Sequence, residues 1–261
     1  LVPTGTMSAD HIGPLARTVA DVELMLEVMM GYDPRDPHSL NVTPTRYPAL
    51  ADLKGIKVGI PQNYFWEDLD PEIEAACRKA VDLMVEAGAE IVPVRIESMG
   101  LLKQFQPVME AEAFVFHEHY VKATPELYAP HKRHSLLASE YYLAHDYVRA
   151  QRARGVYSDE MQAVSASVDV LAMPTSYIPA HELAKAEGGM NISRQRMPFN
   201  WCGLPAMSIP CSLHSNGSPF GLQLTAARFE DFKLLAVAKV AEALIGFDTV
   251  PALFWQRVSE L

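Results

Sequence analysis

The sequence predicts an α/β fold, a mixed β-sheet covered by helices. Three observations carry that reading. A strand–helix–strand succession runs from Ile56 to Val94, two apolar runs meet across an Asn-Gly turn near residue 216, and several segments repeat apolar residues at helical spacing. At 261 residues, 49% apolar and 21% charged, the chain has globular composition and enough length for one large α/β domain or two small ones.

The elements follow in order. Leu1-Val2-Pro3-Thr4-Gly5 reads as the tail of a loop, so the chain is expected to begin in the middle of a larger fold. Thr18-Val19-Ala20-Asp21 has the form of a capping box, with Thr18 as N-cap and Asp21 three residues on. Val19, Val22, Leu26 and Met29 then recur at helical spacing, and Gly31 supplies the stop. Residues 32–54, with Pro34, Pro37, Pro44 and Pro48, form an irregular connection.

Ile56 to Ile60 reads as a strand. Asp70 and Pro71 make an N-cap and N1 pair for a helix whose buried stripe is Ile73, Ala76, Ala80 and Leu83, ending at Gly88. Ala89 to Val94 is a second strand, and this order implies parallel pairing with a right-handed crossover. Residues 100–165 read as mostly helical, broken at Thr124-Pro125 and Ala129-Pro130, and Asp169 to Met173 is a short strand closed by Pro174. Ala206–Leu213 and Phe220–Ala226 form a hairpin through His214-Ser215-Asn216-Gly217-Ser218, with Pro210 imposing a break or an edge on its first strand. A last amphipathic helix spans Asp231 to Ile245 and closes at Gly246. With no internal repeat, low-complexity tract or linker, the chain reads as a single domain.

Charge and cysteine content exclude several function classes. Lys and Arg number 22 against 32 Asp and Glu, a net charge of −10 that argues against a nucleic-acid or anionic-membrane surface. Three scattered cysteines (Cys77, Cys202, Cys211) form neither a disulfide framework nor a zinc motif, and reduced thiols are expected. No apolar run approaches the ~20 residues of a membrane span, and no signal peptide is visible. A cytoplasmic protein is therefore expected, with the sequons at Asn41, Asn191 and Asn216 as chance matches.

The usual chemical motifs are absent from the sequence. No Gly-x-Ser-x-Gly elbow and no phosphate-binding glycine loop occurs; Gly188-Gly189 reads as a flexible loop, and no cofactor is expected. His117 and His119 stand two apart on a helix and do not share a face, while His131 and His134 lack a neighbouring carboxylate, so no metal site is assigned. A buried setting would raise the pKa of the Cys202 thiol and make it inert. Arg149 and Arg152 read as a solvated helical face.

One set of segments resembles a known family. Ser8-Ala9-Asp10-His11-Ile12-Gly13-Pro14-Leu15-Ala16-Arg17-Thr18-Val19-Ala20-Asp21 is similar to the stretch that follows the catalytic loop in amidase-signature enzymes. Gly31-Tyr32-Asp33-Pro34-Arg35-Asp36 continues the match. So do Asp169-Val170-Leu171 through Pro174-Thr175, Phe199-Asn200 through Gly203-Leu204-Pro205-Ala206, and Pro219-Phe220-Gly221-Leu222-Gln223-Leu224. Each segment alone is weak; their shared order from residue 8 to about 245 is specific.

The resemblance implies amide hydrolysis by a serine nucleophile, a second serine and a neutral lysine, with backbone N–H groups holding the oxyanion. In the family those side chains precede the segment that starts here at Ser8. The resemblance thus implies that residues 1–261 are one partial domain whose catalytic portion lies upstream, and no catalytic residue is assigned within it. Tyr147-x-x-Ala150-Gln151-x-x-Arg154 matches a helical motif that supplies an arginine to a substrate carboxylate in glutamine-using relatives. Ser193 stands where those relatives carry an aspartate for the substrate's amino group. A general amidase for an uncharged aryl or alkyl amide is therefore favoured over a component of a tRNA-dependent amidotransferase. Tyr147 and Arg154 are the expected substrate-binding residues, joined by Phe199 and Trp201 as the lining of an apolar pocket, with core packing the alternative for the last two. The expected partner is a small amide substrate, and a homo-oligomeric state stays open. The alternative reading is a non-catalytic, amidase-like binding or assembly module.

Overall fold

The computed structural model describes residues 5–36, 38–181 and 193–248; Leu1 to Thr4, Gly188-Gly189 and the Asn191 sequon lie outside the described residues. Five strands, β1 (Lys57–Pro61), β2 (Glu90–Val94), β3 (Val170–Pro174), β4 (Ala206–Leu213) and β5 (Pro219–Thr225), form one sheet in the order β2-β1-β3-β5-β4. β1 pairs in parallel with β2 and β3, and β5 pairs antiparallel with β3 and β4. The expected mixed sheet is thus present, its parallel half made by the crossover and its antiparallel half by the hairpin.

β3 is the clearest case of sequence dictating placement. All five of its residues are buried. Val170 and Ala172 enter one core while Leu171 and Met173 enter the other, because successive strand side chains point to opposite faces. A strand covered on both sides reads as an unbroken apolar run. Gly59 of β1 lies against this strand: a Cβ there would sit 2.6 Å from Leu171 Cδ2, so the close approach requires glycine.

One face carries α1 (Val19–Met29), α2 (Pro71–Glu86) and α7 (Asp231–Ile245); α7 ends at Gly246, left-handed at φ +61. Thr18 is the N-cap of α1 as expected, its Oγ1 accepting from the Asp21 N–H at 3.1 Å, but Asp21 Oδ2 accepts from the Thr18 hydroxyl at 2.8 Å rather than from its N–H, so half of the capping box forms. Asp70 caps α2, accepting from the N–H groups of Glu72 at 2.9 Å and Ile73 at 3.4 Å. Two apolar stripes differ from expectation. On α1, Met30 packs on the core and Met29 is exposed. On α2 the buried line is Ile73, Cys77, Ala80 and Met84, with Ala76 and Leu83 only half-buried. Both shifts follow from helix geometry, since residues eleven apart are separated by about three turns and share a face.

The other face carries a 3-10 turn (Glu97–Gln104), α3 (Gln106–Ala123), α4 (Pro130–Ser139), α5 (Ala144–Ala166) and the short α6 (Met197–Cys202). The breaks at Thr124-Pro125 and Ala129-Pro130 fall where prolines put them, and residues 140–143 add a further break. In the hairpin, His214 N donates to Ser218 O at 2.9 Å and Gly217 takes φ +83. Pro210 has both expected effects: β4 is an edge strand, and its register slips between Pro210 and Ser212.

Because Asp70 satisfies two otherwise unpaired N–H groups, Asp70→Ala is expected to cost about 1 kcal/mol in urea unfolding while Asp70→Asn costs little. Equal midpoints for the wild type and Asp70→Ala would contradict the cap.

Candidate functional site

The site is built around the end of α6. This six-residue helix stops at Gly203, whose φ of +64 is left-handed. So short a helix leaves its last carbonyls without helical partners. Two arginines take them: Arg154 Nε donates to Trp201 O at 2.8 Å and Arg228 Nη2 donates to Cys202 O at 2.8 Å. Cationic donors also match the negative end of the helix dipole.

Arg154 reaches further. Nη1 donates to Ser8 Oγ at 2.7 Å, Nη2 donates to Ser8 O, and the guanidinium lies over the Trp201 ring, 5.3 Å from its centroid. Ser8 in turn donates from its N–H and hydroxyl to Glu112 of α3, at 2.9 and 2.8 Å. Glu112 also accepts from the Tyr147 hydroxyl at 3.0 Å, and Gln151 Nε2 donates to that hydroxyl at 2.9 Å. Burial pulls the Arg154 pKa below its ordinary value, and the Glu112 carboxylate is the largest influence opposing this. The network joins the 5–11 segment, α3, α5 and α6.

The four residues expected to bind substrate divide by place. Tyr147 and Arg154 are half-buried on α5, with their polar ends on Glu112, Ser8 and α6. Phe199 and Trp201 are 1% and 3% exposed. Phe199 stacks on Phe65 at 5.4 Å between centroids, and Trp201 meets Phe105 edge-on at 5.3 Å. Trp201 nonetheless borders two cavities. One, of about 240 Å³, is lined by Thr6, Asp10, Ser193, Asn200 and Trp201 among others. The second, of about 310 Å³, has Tyr64, Met99, Leu102, Arg194 and Trp201 in its wall. Ser193 and Met197 line both.

Further residues hold these walls. Gln223 of β5, 3% exposed, donates from Nε2 to Gln195 O at 3.0 Å, and Gln195 Nε2 donates to Phe65 O at 3.3 Å. This strut runs from the sheet to the turn that carries Ser193. Tyr64 is held at φ +67, with Arg194 Nη2 donating to its carbonyl at 2.8 Å and the Arg194 guanidinium over its ring. Glu160 caps the 3-10 turn by accepting from the N–H groups of Glu97 and Ser98, each at 2.8 Å, and from the Ser98 hydroxyl. Burial works to raise the Glu160 pKa, but these donors prevail and it lies below its ordinary value.

Sequence reading missed Ser8 as a hub, Glu112, Arg228 and Gln223. Only Gln223 carried a signal, a polar side chain inside the apolar run Phe220–Ala226. Elsewhere, His117 Nδ1 lies 3.0 Å from the Tyr128 hydroxyl, and His131 and His134 are exposed. Among the described residues no group of three or more His, Cys, Asp or Glu is placed to hold a metal. Burial pushes the Cys202 thiol up to about 12, so it is no nucleophile at neutral pH.

Fold and site define an α/β structure with two adjoining cavities beside Trp201 on one face of its sheet. The family model described as Amidase matches residues 2–235, and the chain belongs to the amidase-signature family. It is 37% identical over 226 residues to an amidase from Pseudomonas putida, covering 80% of this chain and 48% of that protein. It is 31% identical over 272 residues to the A subunit of glutamyl-tRNA(Gln) amidotransferase from Chloroflexus aggregans, covering 93% of this chain and 56% of that protein. The chain thus spans about half the length of the curated relatives it matches. A crystal structure of an amidase superposes with a TM-score of 0.76 at 25% identity, covering 92% of this chain and 54% of that one. No helix among the described residues is long and apolar enough to cross a membrane.

Arg154→Ala removes the charged donors from the Ser8 and Trp201 carbonyls, leaving Trp201 O only the longer bond from Ser158, and is expected to cost about 2–3 kcal/mol in urea unfolding, with Arg154→Lys intermediate because the fork is lost but the charge kept. An unchanged midpoint for Arg154→Ala would mean that the network holds nothing in place. Because the folded-state pKa of Glu160 is lowered, its contribution is present above the carboxylate range and is lost as pH falls through that folded value. Glu160→Gln should therefore flatten the acid limb of the stability–pH curve; an unaltered limb would count against the cap.

Proposed function

We propose that this chain is the substrate-bearing rear part of an amidase, whose serine nucleophile, relay serine and lysine base are supplied by sequence preceding Leu1. The observation that carries the reading is that Thr6, Ala9 and Asp10 line the 240 Å³ cavity together with Ser193, Asn200 and Trp201. By resemblance, the segment containing Thr6 to Asp10 follows directly on the catalytic loop. The reactive serine would therefore reach a substrate lodged in that cavity.

The chemistry is acyl transfer to a serine followed by hydrolysis. The nucleophile attacks the amide carbon, the relay serine passes the proton to the leaving nitrogen, and water releases the acid. In this reading Trp201 contacts the substrate, while Arg154, Tyr147 and Phe199 fix Trp201 and the Ser8 segment around it. Ser193 offers a neutral hydroxyl where an α-amino group would call for a carboxylate. Met109, Met197 and Trp201 add apolar surface, which supports a small uncharged aryl or alkyl amide. The acidic net charge of −10 supports a cytoplasmic setting without a nucleic-acid or membrane partner.

The second reading, a non-catalytic assembly module, is favoured by one observation. Leu15, Leu24 and Val28 are 93%, 64% and 82% exposed, an apolar surface of the kind that contacts another polypeptide.

The purified 261-residue chain is expected to release no ammonia from aryl or alkyl primary amides. Turnover by this chain alone, lost on heat denaturation, would overturn the upstream placement of the catalytic groups.

A further inference from the structure

Cys77 and Cys211 stand 134 positions apart, by subtraction of their numbers, and belong to different elements, α2 and β4. What brings them together is the irregularity at Pro210. The β4–β5 register passes from Pro210↔Gly221 directly to Ser212↔Phe220, leaving Cys211 as the extra residue of a bulge. Proline has no N–H for the ladder, and a bulge re-aims the side chain it carries. Here the Cys211 thiol turns onto α2, donating to Ala76 O at 3.3 Å, one residue before Cys77. The Cys77 thiol points back, donating to Gly221 O at 3.7 Å, on the strand residue that faces Pro210. Both side chains belong to the same apolar core, Cys77 fully buried and Cys211 at its half-open rim.

We propose that Cys77 and Cys211 form a thiol pair that a peroxide oxidises to a disulfide bridging α2 to the edge strand β4. Each thiol thus lies against the backbone beside the other cysteine, Cys211 on the carbonyl that precedes Cys77 and Cys77 on the strand residue paired with Pro210. The neighbouring Cys211 thiol and burial push the Cys77 thiol above its ordinary value. The neighbouring Cys77 thiol, with Lys79 assisting and burial opposing, lowers the pKa of Cys211. Cys211, at the half-open rim, is the thiol that a peroxide reaches and hence the attacking one, and fully buried Cys77 is the resolving thiol.

The steps balance. Cys211 thiolate attacks one oxygen of hydrogen peroxide, cleaving the O–O bond to give a sulfenic acid and hydroxide. The Cys77 sulfur then attacks the Cys211 sulfur, its proton leaving with the sulfenic hydroxyl as water. Two thiols are oxidised, one peroxide is reduced, and two waters form after the hydroxide is protonated. None of these atoms belongs to the cavities beside Trp201, so the thiol pair stands or falls independently of the amidase reading.

The test is peptide mapping of the folded 261-residue chain after hydrogen peroxide, without reductant. The expected result is a linked peptide pair joining Cys77 to Cys211, lighter by about 2 Da than the two thiol peptides and separated by dithiothreitol. Cys202 should remain alkylatable after denaturation. The oxidised chain should also melt at a higher temperature, the gain vanishing on reduction. A dimedone adduct on Cys211 in Cys77→Ser would identify the attacking thiol. Recovery of Cys77 and Cys211 as free thiols, a bridge through Cys202, or over-oxidised Cys211 beside free Cys77 would each overturn the proposal.

Discussion

A guanidinium taken partly out of water needs acceptors for its N–H groups, and Arg154 finds three on two different parts of the chain. It caps the carbonyl end of α6 and holds the backbone and hydroxyl of Ser8. Glu112 closes the circuit by holding Ser8 from the opposite side. The placement of the 5–11 segment beside Trp201 thus depends on one arginine and one carboxylate, supported by Tyr147 and Gln151. Two walls of the smaller cavity, the segment with Thr6 to Asp10 and Trp201, meet at that arrangement.

Three of the Arg154 N–H groups are committed within the protein, to Trp201 O and to the hydroxyl and carbonyl of Ser8. Within the helix motif Tyr147-x-x-Ala150-Gln151-x-x-Arg154, Tyr147 and Gln151 brace Glu112, and Arg154 braces α6.

Much of the fold was legible because its causes are local. Thr18, Asp70, Gly246 and the Asn216-Gly217 turn each act within a few residues, and the elements they bound fall within a residue or two of expectation. The buried stripe of α2 was misread by one position because Ala76 and Ala80 offered a plausible spacing, whereas eleven-residue periodicity places Ile73 and Met84 on one face. The site was far less legible. Glu112 and Arg228 look like any charged residues in sequence, and Ser8 is one serine among many. Their roles arise from contacts across 26 to 146 positions, which no local pattern encodes. The Cys77–Cys211 meeting was hidden for the same reason, although Pro210, which creates it, was recognised as a break.

The most direct test joins the front half of the Pseudomonas putida amidase to this chain at Leu1 and measures ammonia release from a neutral aryl amide. The predicted result is turnover that disappears when the donated serine nucleophile is replaced by alanine. A joined protein that folds cooperatively yet releases no ammonia, or one that keeps its activity without that serine, would contradict the claim that this chain supplies the substrate wall of an amidase.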